Sequence, residues 1–373
     1  LKVNYINNNL KMEKTIREKT KKIMVGNVQI GGNNKVVIQS MTTTKTHDIK
    51  STLNQIKELV KEGCELVRVA IFDDKDSLAL KEIISKSPCP IIADIHFNPI
   101  YAIKALETGV AKIRLNPGNI KDQAQLKKII KLANSKNIPI RVGVNSGSLP
   151  TDLMKSHGVT AEAMMIAVKR YVNLFEQNGF NNIVISLKAT NALLAIESYK
   201  LAAKEFIYPL HIGITESGSL FNGTIKSCAG LGVLLYEGIG NTIRISLTGN
   251  PVSEVKVCKK LLNSLDLYDN LVDVISCPTC GRLNFDLNPV VKEIEKFTKK
   301  MNFPLKVAIL GCAVNGPGEA KEADIGIAGG KGTGIIFENG KPIKSVKEEL
   351  LVDELKKLIL KKYETYLKQK RRE

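Results

Sequence analysis

Short runs of β-branched and aliphatic residues recur along the first two thirds of the chain. They are Val36–Gln39, Leu66–Ile71, Ile91–Ile95, Lys112–Leu115, Ile138–Val144, Asn182–Leu187, Leu210–Ile214 and Thr242–Leu247. Between them apolar residues return every third or fourth position, as in Leu53, Ile56, Leu59 and Val60, or Leu126, Ile129, Ile130 and Leu132. The runs have the length of strands, and the spacing between them puts one apolar stripe on a helix. Gly63, Gly109, Asn137 and Gly179 stand where those helices should stop, just before the next strand. Strands alternating with helices in this way predict a TM-length-free, α/β architecture: a TIM (β/α)8 barrel, with a doubly wound open sheet as the alternative that shares the local pattern.

The pattern changes after a helix at 251–267. From Asp269 it reads as strand Val272–Ser276, helix Pro289–Met301, strands Leu305–Leu310, Asp324–Ala328 and Gly334–Phe337, then an amphipathic helix over Lys341–Glu373. This predicts a smaller α+β domain over 269–373, behind a barrel over 26–268 and a basic N-terminal extension over 1–25.

Composition adds exclusions. At 373 residues and 43% hydrophobic content the chain can bury a large core. No apolar run approaches the ~18 residues of a membrane span, and the Lys- and Asn-rich start lacks a signal core, so the expected compartment is the cytoplasm. Seven cysteines at irregular spacing suit a reducing environment and metal or catalytic use. The net charge is +18, yet residues 1–25 and 341–373 carry about +10 of it, which reads as solvated ends. With aromatics at 5% and no Trp, no platform for stacking bases is evident, and nucleic acid is not the expected partner.

A barrel places its chemistry at the C-terminal ends of its strands. Residues at those ends include Ser40, Thr42, Arg68, Asp94, His96, Arg114, Asn116, Arg141, Asn145, Lys188, His211, Glu216, Arg244 and Ser246. Four arginines and a lysine converging on one mouth repel one another unless an anion sits between them, and the planar guanidinium fork suits phosphate. The competing reading pairs each arginine with a neighbouring carboxylate, but only Asp94 and Glu216 are evident in that role.

In the smaller domain Cys277-Pro-Thr-Cys280 forms a turn that can grip one metal centre, and Cys312 follows on a later loop. A zinc ribbon would need a second paired knuckle, and all four histidines lie in the barrel region. Three thiolates without a fourth cysteine fit an iron–sulfur cluster with a non-cysteine ligand whose identity the spacing leaves open. Zinc remains the alternative, giving a basic binding protein without redox catalysis. Cys64, Cys89, Cys228 and Cys258 read as small core residues. Gly329-Gly-Lys-Gly-Thr-Gly334 lacks the order of a P-loop and reads as a turn between strands.

Several segments carry a resemblance. They are Gln39-Ser-Met-Thr, Val67-Arg-Val-Ala, Arg141-Val-Gly-Val-Asn-Ser-Gly-Ser-Leu, His211-Ile-Gly-Ile-Thr-Glu-Ser-Gly, Lys226-Ser and Ile243-Arg-Ile-Ser-Leu. Ser276-Cys-Pro-Thr-Cys-Gly-Arg and Gly311-Cys-Ala-Val-Asn-Gly-Pro-Gly-Glu-Ala complete the set. In these the chain resembles the 4-hydroxy-3-methylbut-2-en-1-yl diphosphate synthase family of the non-mevalonate isoprenoid pathway, in its bacterial two-domain form. The resemblance implies an oxidoreductase that reductively opens and dehydrates 2-C-methyl-D-erythritol 2,4-cyclodiphosphate. It implies a [4Fe–4S] cluster on Cys277, Cys280, Cys312 and Glu319, with Glu319 the ligand that can leave and Glu216 the acid beside the departing hydroxyl. Arg68, His96, Arg114, Arg141, Asn145, Lys188, Lys226 and Arg244 would then bind substrate. Flavodoxin or ferredoxin would supply electrons, and a head-to-tail homodimer would bring each cluster domain to its partner's barrel.

Overall fold

The computed structural model describes residues 15–96, 98–116, 120, 122–312, 322–330 and 332–371. The chain divides into two compact units, 1–267 and 268–373.

The first unit begins with a hairpin, β1 (Ile23–Val25) and β2 (Val28–Ile30), turned at Gly26 with φ 59°. Eight parallel strands follow: β3 (Val37–Met41), β4 (Leu66–Ile71), β5 (Ile91–Ile95), β6 (Lys112–Leu115), β7 (Ile140–Asn145), β8 (Ile183–Lys188), β9 (His211–Ile212) and β10 (Thr242–Ile243). They pair in sequence order, β10 returns to β3, and a bridge from Ile185 to Leu210 joins β8 to β9. The sheet is therefore a barrel, and the open doubly wound alternative falls. Around it lie α1 (Ile49–Glu62), α2 (Asp74–Lys86), α3 (Pro99–Thr108), α4 (Gln123–Ser135), α5 (Thr151–His157), α6 (Ala161–Gln177), α7 (Ala192–Glu205), α8 (Leu220–Tyr236) and α9 (Pro251–Asn263).

Local chemistry sets these boundaries. Asp48, Asp73, Asn98, Asp122, Thr160, Asn191 and Asn250 each accept a backbone N–H from the first turn of the helix they precede. Each cap fixes where a helix leaves its strand, and so the length of the loop that carries functional residues. Strands β9 and β10 are shorter than the expected Leu210–Ile214 and Thr242–Leu247. Beyond them Lys188 lies against Gly213: a Cβ there would meet Lys188 Nζ at 2.7 Å and the Arg244 carbonyl oxygen at 2.6 Å.

Part of the expected N-terminal extension is built into the barrel. Ile23, Val25 and Ile30 pack with Val37, Leu66, Ile92 and Val184 and seal the barrel floor. Arg17, buried, donates from Nη2 to the Leu235 carbonyl at 2.7 Å, at the C-terminal end of α8. Strand periodicity missed this hairpin because each arm is only three residues long.

The second unit is a five-stranded sheet in the order β11 (Val272–Ser276), β12 (Leu305–Leu310), β13 (Ile325–Gly329), β14 (Thr333–Glu338) and β15 (Lys341–Lys347). The first three are parallel and the last two antiparallel. Helices α10 (Leu287–Thr298) and α11 (Leu351–Lys370) add Ile294, Leu351, Leu355 and Ile359 to a core with Val272, Val307, Ile309 and Ile327. The terminal helix thus starts at Leu351, not Lys341. Asn339 and Gly340 both take positive φ (49° and 73°), the geometry of a two-residue hairpin turn, and the chain returns as an edge strand. Among the described residues no helix is long and apolar enough to cross a membrane.

Candidate functional site

Side chains alternate across a strand, so every second residue of the barrel strands faces the interior. The inward columns are Val37-Gln39-Met41, Leu66-Arg68-Ala70, Ile92-Asp94-His96, Lys112-Arg114-Asn116, Arg141-Gly143-Asn145, Val184-Ser186-Lys188, His211-Gly213 and Thr242-Arg244. An eight-stranded barrel stacks such columns in layers of four, taken from alternate strands. Applied to the observed register, the lowest layer is Leu66, Lys112, Val184 and Thr242. Above it come Gln39, Ile92, Arg141 and His211, then Arg68, Arg114, Ser186 and Arg244. Met41, Asp94 and two glycines, Gly143 and Gly213, follow, with Lys188 and Asn116 nearest the mouth.

Asp94, buried, is the hub of the upper layers. Arg68 Nε lies 3.5 Å from its carboxylate, and Arg114 Nη1 and His96 Nε2 each 3.3 Å. Burial alone would raise the Asp94 carboxyl, but Arg68, His96 and Arg114 hold it far below the usual carboxylate range. Arg244 has a different partner. Glu254, from α9, receives Arg244 Nε and Nη2 at 3.3 Å, Ser40 Oγ at 2.9 Å and the Leu247 N–H at 3.1 Å. Met41 Sδ lies 3.2 Å from Arg68 Nε and 3.0 Å from its Nη2.

The remaining cations have no carboxylate within ion-pair distance among the described residues. Arg141, buried, leaves Nε and Nη1 without a hydrogen-bond partner. Lys188 is buried beside Gly213, and burial with Arg141, Arg244 and Arg68 nearby pushes its ammonium well down. Among the described residues two carboxylates thus face Arg68, Arg114, Arg141, Lys188 and Arg244, a surplus that an anionic ligand would balance.

The structure brings Arg68, His96, Arg114, Arg141, Asn145, Lys188 and Arg244 to one interior. Asn145 is half-buried at the end of β7, registered with Lys188. Lys226 stands on α8 and is half-buried. Glu216 is exposed in the loop after β9, with φ 51°, a left-handed backbone that a non-glycine residue adopts at a cost of roughly 1–3 kcal/mol. His211 is fully buried, its Nδ1 2.7 Å from Thr242 Oγ1, and so lies inside the barrel rather than at its mouth. Glu254 escaped the strand-end reading because it comes from a helix. Its signal was its place on the apolar face of α9, in line with Cys258 and Leu261.

In the second unit Cys277 and Cys312 follow the ends of adjacent parallel strands, β11 and β12. The Cys277 N–H donates to the Ile309 carbonyl at 3.3 Å, and the Gly311 N–H donates to Cys277 Sγ at 3.2 Å. The loop after Cys280 folds back, with the Asn284 N–H on the Gly311 carbonyl at 2.9 Å. Gly311 has no room for a side chain, since a Cβ would lie 2.0 Å from Leu283 Cδ2. Arg282 faces both Cys280 and Cys312, and hydrogen bonds from its backbone and side chain lower the Cys280 thiol. Burial instead raises Cys64, Cys89 and Cys228, and pushes Cys258 up to about 12. The donor set at 277, 280 and 312 therefore fits a thiolate-bound group, and the other four fit core or partly buried positions. Glu319 lies outside the described residues. Of Gly329–Gly334, Gly329 ends β13, Thr333 and Gly334 open β14, the Gly330 N–H donates to the Thr333 carbonyl at 2.7 Å, and Lys331 lies outside the described residues.

Two family models match the chain: the GcpE TIM-barrel domain over residues 20–259 and the GcpE protein C-terminal domain over 273–361. A protein of Malacoplasma penetrans named 4-hydroxy-3-methylbut-2-en-1-yl diphosphate synthase (flavodoxin) is 82% identical over 360 residues, covering 96% of this chain and 99% of that protein. Proteins of the same name from Mycoplasmoides gallisepticum and Geobacillus thermodenitrificans are 65% and 51% identical, covering 94% and 96% of this chain and 98% and 96% of theirs. Among solved structures, a dihydropteroate synthase from Stenotrophomonas maltophilia superposes with a TM-score of 0.50 at 14% identity, covering 66% of this chain and 98% of its own, which is a likeness of barrel fold alone.

Proposed function

The chain belongs to the GcpE family, and we propose that it is a flavodoxin-dependent oxidoreductase that reductively opens and dehydrates 2-C-methyl-D-erythritol 2,4-cyclodiphosphate to 4-hydroxy-3-methylbut-2-en-1-yl diphosphate. The observation that carries this reading is the surplus of buried cations in the barrel, above all Arg141 and Lys188, which no described carboxylate balances. A cyclic diphosphate brings two negative charges to that place. Arg68, Arg114, Arg141, Lys188 and Arg244 would hold it, with His96 and Asn145 at the rim and Lys226 from α8. Asp94 keeps the guanidinium groups of Arg68 and Arg114 oriented, and Glu254 does the same for Arg244.

Cys277, Cys280 and Cys312 would hold a [4Fe–4S] cluster, with Glu319 as its fourth, replaceable ligand. Bound there, the cluster supplies single electrons and an iron able to exchange a ligand. Arg282, whose backbone and side chain hydrogen-bond to Cys280, favours the thiolate form of that residue. Loss of a hydroxyl as water needs a proton donor within reach, and Glu216, in the loop after β9, would take that role. The reading includes a homodimer in which one copy's second unit serves its partner's barrel, and a cytoplasmic setting in which the free thiols persist.

The test is metal and sulfide analysis of anaerobically purified protein, followed by turnover of the cyclic diphosphate with reduced flavodoxin. About four irons with matching sulfide, and product formation, are expected. One tightly held zinc and no turnover would overturn the reading in favour of a non-redox binding protein.

A further inference from the structure

One lysine inside the barrel is left over by the substrate reading. Lys112 opens β6, two residues before Arg114, and is fully buried. Its Nζ has no hydrogen-bond partner among the described residues. Leu66, Val184 and Thr242 share its layer, the Thr242 hydroxyl being engaged by His211, and the hairpin residues Ile23, Val25 and Ile30 close the floor around them. The layer above holds Gln39, Ile92, Arg141 and His211, and there the polar atoms are unsatisfied too: both amide atoms of Gln39, Nε and Nη1 of Arg141, and Nε2 of His211. Among the described residues no carboxylate lies within ion-pair distance of Lys112, Arg141 or His211 in this lower chamber. Asp94 lies higher and is already engaged by Arg68, Arg114 and His96.

An ammonium in this position meets apolar walls, a sealed floor and positive charge above it. Burying an isolated charge in such surroundings is costly enough that the group gives up its proton instead. Burial, then Arg141, then Arg68 act on Lys112 in that direction, and burial with Arg141, Lys188, Lys112 and Arg68 acts the same way on His211. Guanidinium groups keep their protons in proteins. The relief therefore falls on Lys112, His211 and Lys188, which burial with Arg141, Arg244 and Arg68 pushes the same way, while Arg141 and Arg68 stay charged. His211 has an alternative, since its Nδ1 already engages Thr242 Oγ1, and a neutral ring serves that contact. The Lys112 amine has none.

We propose that Lys112 is a proton-linked positioning residue of the substrate site, neutral before the substrate binds and taking up one proton when a dianionic diphosphate settles on the arginines above it. The inference rests on the proposed substrate reading. The incoming dianion neutralises the field of Arg141 and Arg68, which is what keeps the ammonium form of Lys112 unfavourable. A protonated Lys112 then adds positive charge beneath the bound diphosphate without touching it. The substrate does not obscure the count, because a cyclic diphosphate diester has no proton to exchange near neutrality. Lys112 takes one proton from solvent for each ligand bound.

The test is calorimetric titration of the holoenzyme with the cyclic diphosphate, without reductant, in buffers of different ionisation enthalpy at pH 7–9. Wild-type protein should take up at least one proton per ligand, and its affinity should fall at least about tenfold per pH unit across the linked range. Lys112→Met should take up about one proton fewer per ligand than wild type and show a flatter pH profile. Uptake undiminished in Lys112→Met would overturn the inference and move the proton to His211 or Lys188. Should that variant fail to fold, the wild-type profile decides: binding without uptake and without pH dependence would equally overturn it. Failure of wild-type protein to bind the cyclic diphosphate at all would refute the substrate reading itself, a distinguishable outcome.

Discussion

Replacing Asp94 with Asn removes the negative charge that Arg68, Arg114 and His96 share while leaving the shape of the side chain intact. At 3.3 and 3.5 Å, each guanidinium contact is worth about 5 kcal/mol of gross Coulomb energy at an effective dielectric constant of 20. Most of that repays desolvation, and breaking a buried pair by deleting one partner costs ~3–5 kcal/mol net. For a domain the size of this barrel such a loss lowers the melting temperature by about 6–20 °C. The effect should be anion-dependent. With Asp94 neutralised the cation surplus grows, so inorganic diphosphate should restore more stability to Asp94→Asn than it adds to wild type. Acid gives a second reading. The folded pKa of Asp94 lies below the unfolded value of about 3.9, so its contribution is complete above about pH 4 and drains away as pH falls further. Wild-type stability should therefore decline more steeply than that of Asp94→Asn below about pH 4. Thermal melts from pH 3 to 7, with and without diphosphate, provide the assay. A melting temperature within about 2 °C of wild type, or no differential rescue by diphosphate, would refute the reasoning.

Two further outcomes follow from the proposed roles. Glu216→Gln should keep its iron, sulfide and substrate affinity yet lose turnover by roughly 100-fold or more; unchanged turnover with reduced flavodoxin removes Glu216 from the reaction. Arg141→Met and Cys280→Ser should each be inactive alone, but after subunit exchange an equal mixture should recover about a quarter of wild-type activity, because half of the dimers are mixed and each holds one intact pair of sites. A mixture as inactive as its components would mean that each chain serves only itself.

How far the sequence carried this reading depended on whether a feature was local. The barrel strands from β4 to β6 were legible to the residue, since β-branched runs flanked by helical stripes admit little else once closed into a sheet. The hairpins were not, although both had a turn signal: Gly26-Asn27 joins arms of three residues, too short for alternation to register, and Asn339-Gly340 sits beside Lys341–Lys347, whose charges resembled a solvated helix face. The site divides the same way. The strand-end rule placed Arg68, Asp94, Arg114 and Arg141 at one mouth, because each is read from its own strand. It could not supply Glu254, which reaches Arg244 and Ser40 from a helix that only the closed barrel brings alongside β10 and β3.

That missing carboxylate bears on the central inference. The rival account held that every barrel arginine is matched by an acid, and Glu254 makes it true of Arg244, as Asp94 makes it partly true of Arg68 and Arg114. It fails for Arg141 and Lys188, which stand on adjacent strands and share no described acid, and a neutral Lys112 beneath them adds no charge until an anion arrives. Had the acids been distributed evenly, the barrel would be a satisfied ion-pair core with nothing to bind. Their placement near Arg68, Arg114 and Arg244 instead leaves the uncompensated charge on the β6–β8 side of the interior. A diphosphate drawn in by charge should therefore settle against β6, β7 and β8, where Arg141 and Lys188 face it and Lys112 lies beneath.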